Sequence, residues 1–97
     1  MAKRALRMDA IDDVATVLVA VSAGDEVSVE TKSGLQVDRL VSLSDIPRFH
    51  KICLKDVAKG SEVHKYGQVI GGATADIRRG EYVHVHNIES LKTGVRK

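Results

Sequence analysis

Apolar residues fall along this chain in short runs that alternate with polar residues or stand between turn-forming clusters, and no window carries a long 3.6-residue repeat with caps. The runs are Ala5 to Met8, Val14 to Val21, Glu26 to Thr31, Leu35 to Leu43, His50 to Leu54, Glu62 to Tyr66, Gln68 to Ala75 and Glu81 to His86. Each has the length of a strand. Fourteen Val and six Ile against seven Leu and two Met push the same way, because stiff β-branched side chains pack well on a pleated surface. The pattern predicts an all-β body, a compact meander or barrel of short strands, with at most a helical turn at Ser44-Asp45 or within Ala73 to Arg79.

One local pattern recurs. In Val21-Ser22-Ala23-Gly24-Asp25-Glu26-Val27, Val57-Ala58-Lys59-Gly60-Ser61-Glu62-Val63 and Ile77-Arg78-Arg79-Gly80-Glu81-Tyr82-Val83, an apolar anchor stands three residues before a Gly and a Val three after it. A Gly at that point fits a turn that needs positive φ, where a Cβ would clash. The spacing of the copies is too uneven for a solenoid. They read as three equivalent turns of one β body.

Composition narrows the choice. Ninety-seven residues support one small core and leave no room for a Rossmann unit or a barrel enzyme. The expectation is a single domain over residues 1–97, with basic tails at about 1–4 and 90–97. Fifteen Lys and Arg against thirteen Asp and Glu give a net charge of +2, which selects neither nucleic acid nor a membrane as partner. No apolar run approaches the length of a membrane span, and no apolar segment with a cleavage site follows the basic start. Cytoplasm is therefore the expected compartment. The single Cys53 forms no internal disulfide and no Cys-based zinc site.

Four His are the main source of chemistry. In Glu81 to Asn87, strand alternation places Tyr82, His84 and His86 on one face and Val83 and Val85, the apolar residues available for the core, on the other. Two imidazoles two residues apart can converge on one metal ion, and they fit a solvated strand face equally well. His50 opens a strand whose Ile52 and Leu54 share its face while Lys51, Cys53 and Lys55 take the other. Pro47 stiffens the approach to it. His64, with Lys65 and Tyr66 beside it, reads as solvated or structural. Gly67, Gly71 and Gly72 make no phosphate loop, and Cys53 has only Lys51 and Lys55 to argue for activation.

The run Lys65-Tyr66-Gly67-Gln68-Val69-Ile70-Gly71, followed by Ala73, Ala75-Asp76-Ile77, Gly80 and Val83-His84-Val85-His86-Asn87, resembles the small N-terminal domain of the altronate and galactarate dehydratase family. Asp45-Ile46-Pro47, His50-Lys51, Leu54 and Asp56-Val57-Ala58-Lys59-Gly60 fit the same family in order and spacing. The resemblance implies a SAF domain with a β-clip fold. It also implies a place in a lyase that removes water from a sugar acid to give a 2-keto-3-deoxy acid, or sulfite from sulfolactate, acting with a separate large chain and a divalent metal, usually iron.

On that resemblance His50 and Lys51 are the expected catalytic residues. Arg48, Lys65, Tyr66 and Asn87 are expected to bind substrate, and His84 and His86 to hold the metal. The chain departs from the family form at Phe49, where the family carries Gly, and Arg48 beside it offers a planar fork to a carboxylate or sulfonate. The expected partners are a large dehydratase-like or sulfo-lyase-like subunit, a small hydroxy acid and, in some assemblies, further copies of the chain. The isolated chain is expected to be inactive. The competing reading is a non-catalytic β-clip module for binding or assembly.

Overall fold

In a computed structural model, residues 2–90 are described. They form nine strands: β1 (Lys3–Leu6), β2 (Val14–Val17), β3 (Glu26–Glu30), β4 (Gln36–Val41), β5 (Lys51–Cys53), β6 (Glu62–Lys65), β7 (Gln68–Ala73), β8 (Tyr82–Val83) and β9 (Ile88–Glu89). Six make one sheet in the order β4-β3-β1-β2-β5-β8, and the other three make a second in the order β6-β7-β9. Only the β1–β3 pair is parallel. The described residues contain no helix, so the all-β expectation holds and the helical turn expected within Ala73 to Arg79 is replaced by a strand-like bridge at Ile77.

The β2–β5 pair is the wall between two cores. Val14 stands opposite Cys53 and Ala15 opposite Ile52. Alternation sends Ala15, Val17, Ile52 and Leu54 into one apolar cluster with Ala5, Val27 and Val29, and sends Val14 and Cys53 into another with Val57, Val63, Ile77 and Val83. A strand buried on both faces has no polar side to spare, which is why Val14 to Val17 reads as an almost unbroken apolar run.

The expected equivalence of the three glycine turns is borne out. Gly24, Gly60 and Gly80 have φ of 95°, 90° and 95°, each as the third residue of a turn closed by Asp25 N–H to Ser22 O, Ser61 N–H to Ala58 O and Glu81 N–H to Arg78 O. Each glycine N–H reaches a carbonyl at or just past the end of a strand, that of Ser42, Ala73 and Cys53 respectively.

A fourth copy went unread because it lacks the glycine. In Ile46-Pro47-Arg48-Phe49-His50, His50 N–H closes on Pro47 O, Phe49 N–H reaches Val17 O, and Phe49 sits at φ 69°.

The four turns cross in pairs. Val21 and Ile46 exchange two backbone hydrogen bonds of 2.9 and 2.7 Å, and Val57 and Ile77 exchange two of 2.7 and 2.8 Å. Side chains lock the crossings: Asp45 accepts from Ala23 N–H at 2.9 Å, Asp76 from Lys59 N–H at 2.8 Å and Asp56 from Arg79 N–H at 2.9 Å. In each case the acid precedes the anchor of the opposite turn. At the fourth place the residue is Ala20, which offers no such acceptor.

The expected basic tail at residues 1–4 is corrected by β1. Lys3 pairs with Asp25 at 3.1 Å and Arg4 with Glu30 at 3.0 Å across the sheet. The expected tail at 90–97 lies, apart from Ser90, outside the described residues.

Gly60→Ala should lower stability in urea by about 1–2 kcal/mol, the cost of a left-handed L residue, because nothing lies within 4 Å of the added Cβ and only the backbone objects. Gly71→Ala should cost more, since its Cβ would collide with the Glu89 carbonyl oxygen and push β9 off β7. Equal losses in the two variants would show that turn strain does not govern Gly60.

Candidate functional site

The turn that crosses Val21 delivers His50 to the start of β5, and the β5–β8 pairing sets Ile52 against Tyr82 and Lys51 against Val83. This brings residues thirty positions apart in the chain into contact. His50 Nδ1 lies 2.7 Å from the Tyr82 hydroxyl. The His50 and His84 rings are 4.9 Å apart, Tyr82 and His84 stack at 5.6 Å with planes within 9°, and His86 lies 5.3 Å from the Tyr82 ring. Three of the four imidazoles thus gather around one phenol. Tyr82 was not among the expected site residues, although its alternation with His84 was the signal for it.

The strand expected to run to His86 ends at Val83. Residues 84–87 turn back, with the N–H groups of Asn87 and Ile88 both reaching His84 O. The cause is Asn87, which is buried. Its Oδ1 accepts from His84 N–H at 3.0 Å and its Nδ2 donates to Tyr82 O at 2.8 Å. An Asn side chain that satisfies nearby backbone groups competes with a strand ladder. Two expectations are corrected here. Val85 is not a core residue but is 79% exposed, and the Asn87 amide is committed to the turn that aims His84 instead of facing a substrate.

The charge around the cluster is cationic. Among the described residues Arg48, Lys51 and Lys65 make no ion pair, as is true of Arg7, Lys32 and Lys59, whereas Lys3, Arg4, Arg39, Lys55, Arg78 and Arg79 all do. The Lys51 ammonium is pulled below its usual range by burial and by Lys65. The His84 pKa is lowered by loss of solvent and by the nearby His50, Lys51 and His86, which favours its neutral form. Arg48 lies on the Phe49 ring, 4.4 Å from its centroid, and Lys65 lies 4.8 Å from that of Tyr66.

Tyr66 stands apart. It occupies the β6–β7 hairpin tip at φ 58°, followed by Gly67 at φ 72°, a two-residue loop with both residues left-handed. Both tip N–H groups donate to the buried Asp12 carboxylate, at 3.0 and 2.8 Å. Asp13 binds β6 two residues before the tip, accepting from His64 N–H at 2.8 Å and lying 2.9 Å from His64 Nδ1 and 3.1 Å from Lys55 Nζ. His64 is therefore structural, as expected. Burial tends to raise the Asp13 pKa, but the hydrogen bonds from His64 and Lys55 together hold it below the usual carboxylate range. These two acids, which tie the second sheet to the first, were not singled out from the sequence.

Cys53 is a core thiol. It donates to Lys55 O at 2.9 Å, and burial pushes its pKa up to about 11. That removes it as a nucleophile. The expected divalent metal does not fit this chain by itself. No group of three or more His, Cys, Asp or Glu able to hold an ion lies among the described residues. His84 and His86 neighbour a lysine and other imidazoles, where an iron centre of the two-His kind needs a carboxylate.

What the arrangement can do is bind an anion beside a hydrogen-bonded pair. The His50 imidazole and the Tyr82 hydroxyl share a 2.7 Å hydrogen bond in which either can be the donor, depending on the imidazole tautomer. Neutral His84 packs against both rings.

Residues 3–91 match the altronate/galactarate dehydratase SAF domain. The chain belongs to that family. It is 42% identical over 82 residues to altronate dehydratase of Escherichia coli (strain K12), an alignment covering 84% of this chain and 15% of that enzyme. It is 43% identical over 47 residues to (2R)-sulfolactate sulfo-lyase subunit alpha of Chromohalobacter salexigens, covering 48% of this chain and 50% of that subunit. The corresponding subunit of Paracoccus pantotrophus is 40% identical over 54 residues, 56% of this chain and 81% of the relative. The SAF domain therefore matches both a small stretch of a long dehydratase and most of a short sulfo-lyase subunit.

Two measurements check the electrostatics. In an NMR titration of the SAF chain, His84 should protonate below the ordinary histidine value of about 6.5, and a midpoint at or above that value would contradict the cationic setting. Asp13→Asn should cost about 1.5–3 kcal/mol at neutral pH, the range for hydrogen bonds to a charged group. Because the folded-state pKa of Asp13 is depressed, that contribution is full above the unfolded value of about 3.9 and disappears as pH falls through the lower folded value. The gap between wild type and variant should therefore narrow in acid.

Proposed function

We propose that this SAF domain is the small, anion-binding part of a hydroxy-acid lyase and completes its site only with a larger catalytic chain. The observation that carries this is the placement of cations without acidic partners: Lys51 acts on His84 and has Lys65 near it, and Arg48 stands two residues before His50 in the chain. A hydroxy acid presents a carboxylate next to an acidic C–H bond. Eliminating water or sulfite from it requires that the acid group be held, the C–H proton removed and the leaving group released. The cations hold the acid group, and the neutral imidazole of His84 and the His50–Tyr82 pair accept and relay the proton.

The neighbouring groove gives the rest of the molecule a place to lie. It is about 410 Å³ in volume and is bordered by Tyr82, Ser22, Asp45, Val21, Ile46 and Pro47. Ser22 and Asp45 offer hydrogen bonds to hydroxyl groups, while the Asp45 carboxylate repels a second acid group. Altronate and (2R)-sulfolactate, named for the activities of the relatives, represent the two substrate types. A chain this open keeps little water out, so the larger chain supplies the cover and the groups that this one lacks.

The test is reconstitution with a large dehydratase-like or sulfo-lyase-like chain. The SAF chain alone should turn over neither altronate nor sulfolactate. In the complex, His50→Gln should lower kcat by at least about 100-fold and Tyr82→Phe by about tenfold, the scale of a positioned proton-transfer group. Turnover by the SAF chain alone, or full activity with His50→Gln, would overturn the proposal.

A further inference from the structure

Of the four crossed turns, only the one that leads into His50 departs from the common design, and it departs twice. Its left-handed position holds Phe49 at φ 69° where the sister turns hold Gly24, Gly60 and Gly80. It also has no acidic clamp, since Ala20 stands where Asp45, Asp56 and Asp76 serve the other crossings. A bulky L residue in this region is strained, and glycine would remove the strain. Such strain persists where the side chain has something to do.

The strain does not serve the core, because the Phe49 side chain is 59% exposed. Its contact is the guanidinium of Arg48, 4.4 Å from the ring centroid. Arg48 makes no ion pair among the described residues, although a free, exposed arginine would ordinarily sample many rotamers. Stacking engages only the face of the guanidinium. The N–H groups on its edge stay available in the fork that matches a carboxylate or sulfonate.

We propose that Phe49 is a positioning residue that holds the Arg48 fork beside His50 as the receptor for the oxyanion of the substrate. The role of that oxyanion as substrate rests on the function proposed above, but the receptor itself does not. Lys51 follows His50 in the chain, and Lys65 lies near enough to Lys51 to act on its charge. A three-oxygen sulfonate and a two-oxygen carboxylate both satisfy the fork, and only a titration with each can separate them.

The test uses the whole chain and two matched probes, glycolate for a hydroxy carboxylate and isethionate for a hydroxy sulfonate. The readouts are the Arg48 Nε–H and His50 ring signals in NMR titrations, alongside urea denaturation. In the wild type at least one probe should shift both signals saturably, and the tighter of the two identifies the preferred oxyanion. Phe49→Gly should weaken that probe by about fivefold, the upper worth of one exposed cation–π contact, while its denaturation midpoint is unchanged or higher. Phe49→Tyr, which keeps the ring, should bind within about twofold of the wild type, and Arg48→Gln should lose the response.

Undiminished probe binding by Phe49→Gly, a lower midpoint in that variant, or no Arg48 response to either probe in the wild type would overturn the proposal. Because no turnover or larger chain is involved, its failure would leave the lyase reading to be judged by the reconstitution experiment.

Discussion

A backbone amide and carbonyl buried at the crossing of two turns must bond to each other, because no water reaches them and an unmet pair costs more than almost any side-chain contact can return. Val21 with Ile46 and Val57 with Ile77 meet that requirement reciprocally. Each crossing fixes the direction in which two chain segments leave it. The first sends one segment toward β3 and the other through His50 into β5. The second sends one toward β6 and the other into β8. The strands are too short to hold a sheet by length alone, with β8 and β9 only two residues each. The crossed turns supply the order that longer ladders provide in other β proteins.

The candidate site follows from that geometry. His50 is the last residue of one crossed turn, and Tyr82 comes two residues after the glycine of another. Their 2.7 Å contact is therefore set by two crossings and one strand pair, not by a flexible loop. Asn87 then aims His84 by folding the chain back at Val83. The electrostatic consequence is a neutral imidazole among cations. Placing Lys51 and Lys65 near each other without an acid costs free energy in the empty protein. An arriving oxyanion relieves that repulsion, so part of the cost becomes binding energy.

Much of this was legible from the residues. Val, Ile and glycine spacing indicated an all-β body, the three glycine turns and the alternation of β5, because strand periodicity and positive φ leave compositional marks. What stayed hidden was hidden for physical reasons. The fourth turn carries Phe49, so a search for its glycine misses it even though the backbone is the same. The clamps Asp45, Asp56 and Asp76 look like ordinary polar residues until the opposite turn's N–H is in view. Val85 was read as core because alternation was carried past Val83, whereas one buried Asn side chain outweighed the strand pattern there. The three-ring grouping around Tyr82 was partly visible as His84 and His86 on its face, but its contact with His50 depends on a pairing between distant segments.

The two crossings also divide the work of the domain. At the Val57–Ile77 crossing both left-handed positions are glycine and both acids are present, so nothing there is strained or left without its acceptor. At the Val21–Ile46 crossing one glycine has become Phe49 and one acid has become Ala20, and this is the crossing that carries His50. A symmetric scaffold tolerates such losses on one side because the other side, built on the same geometry, still holds the sheets together. The concentration of both departures in one turn is hard to explain as drift in packing, since Phe49 packs into no core. The proposed receptor role accounts for it: such a turn gives up stabilising features to place an arginine, an imidazole and an aromatic ring at the protein surface.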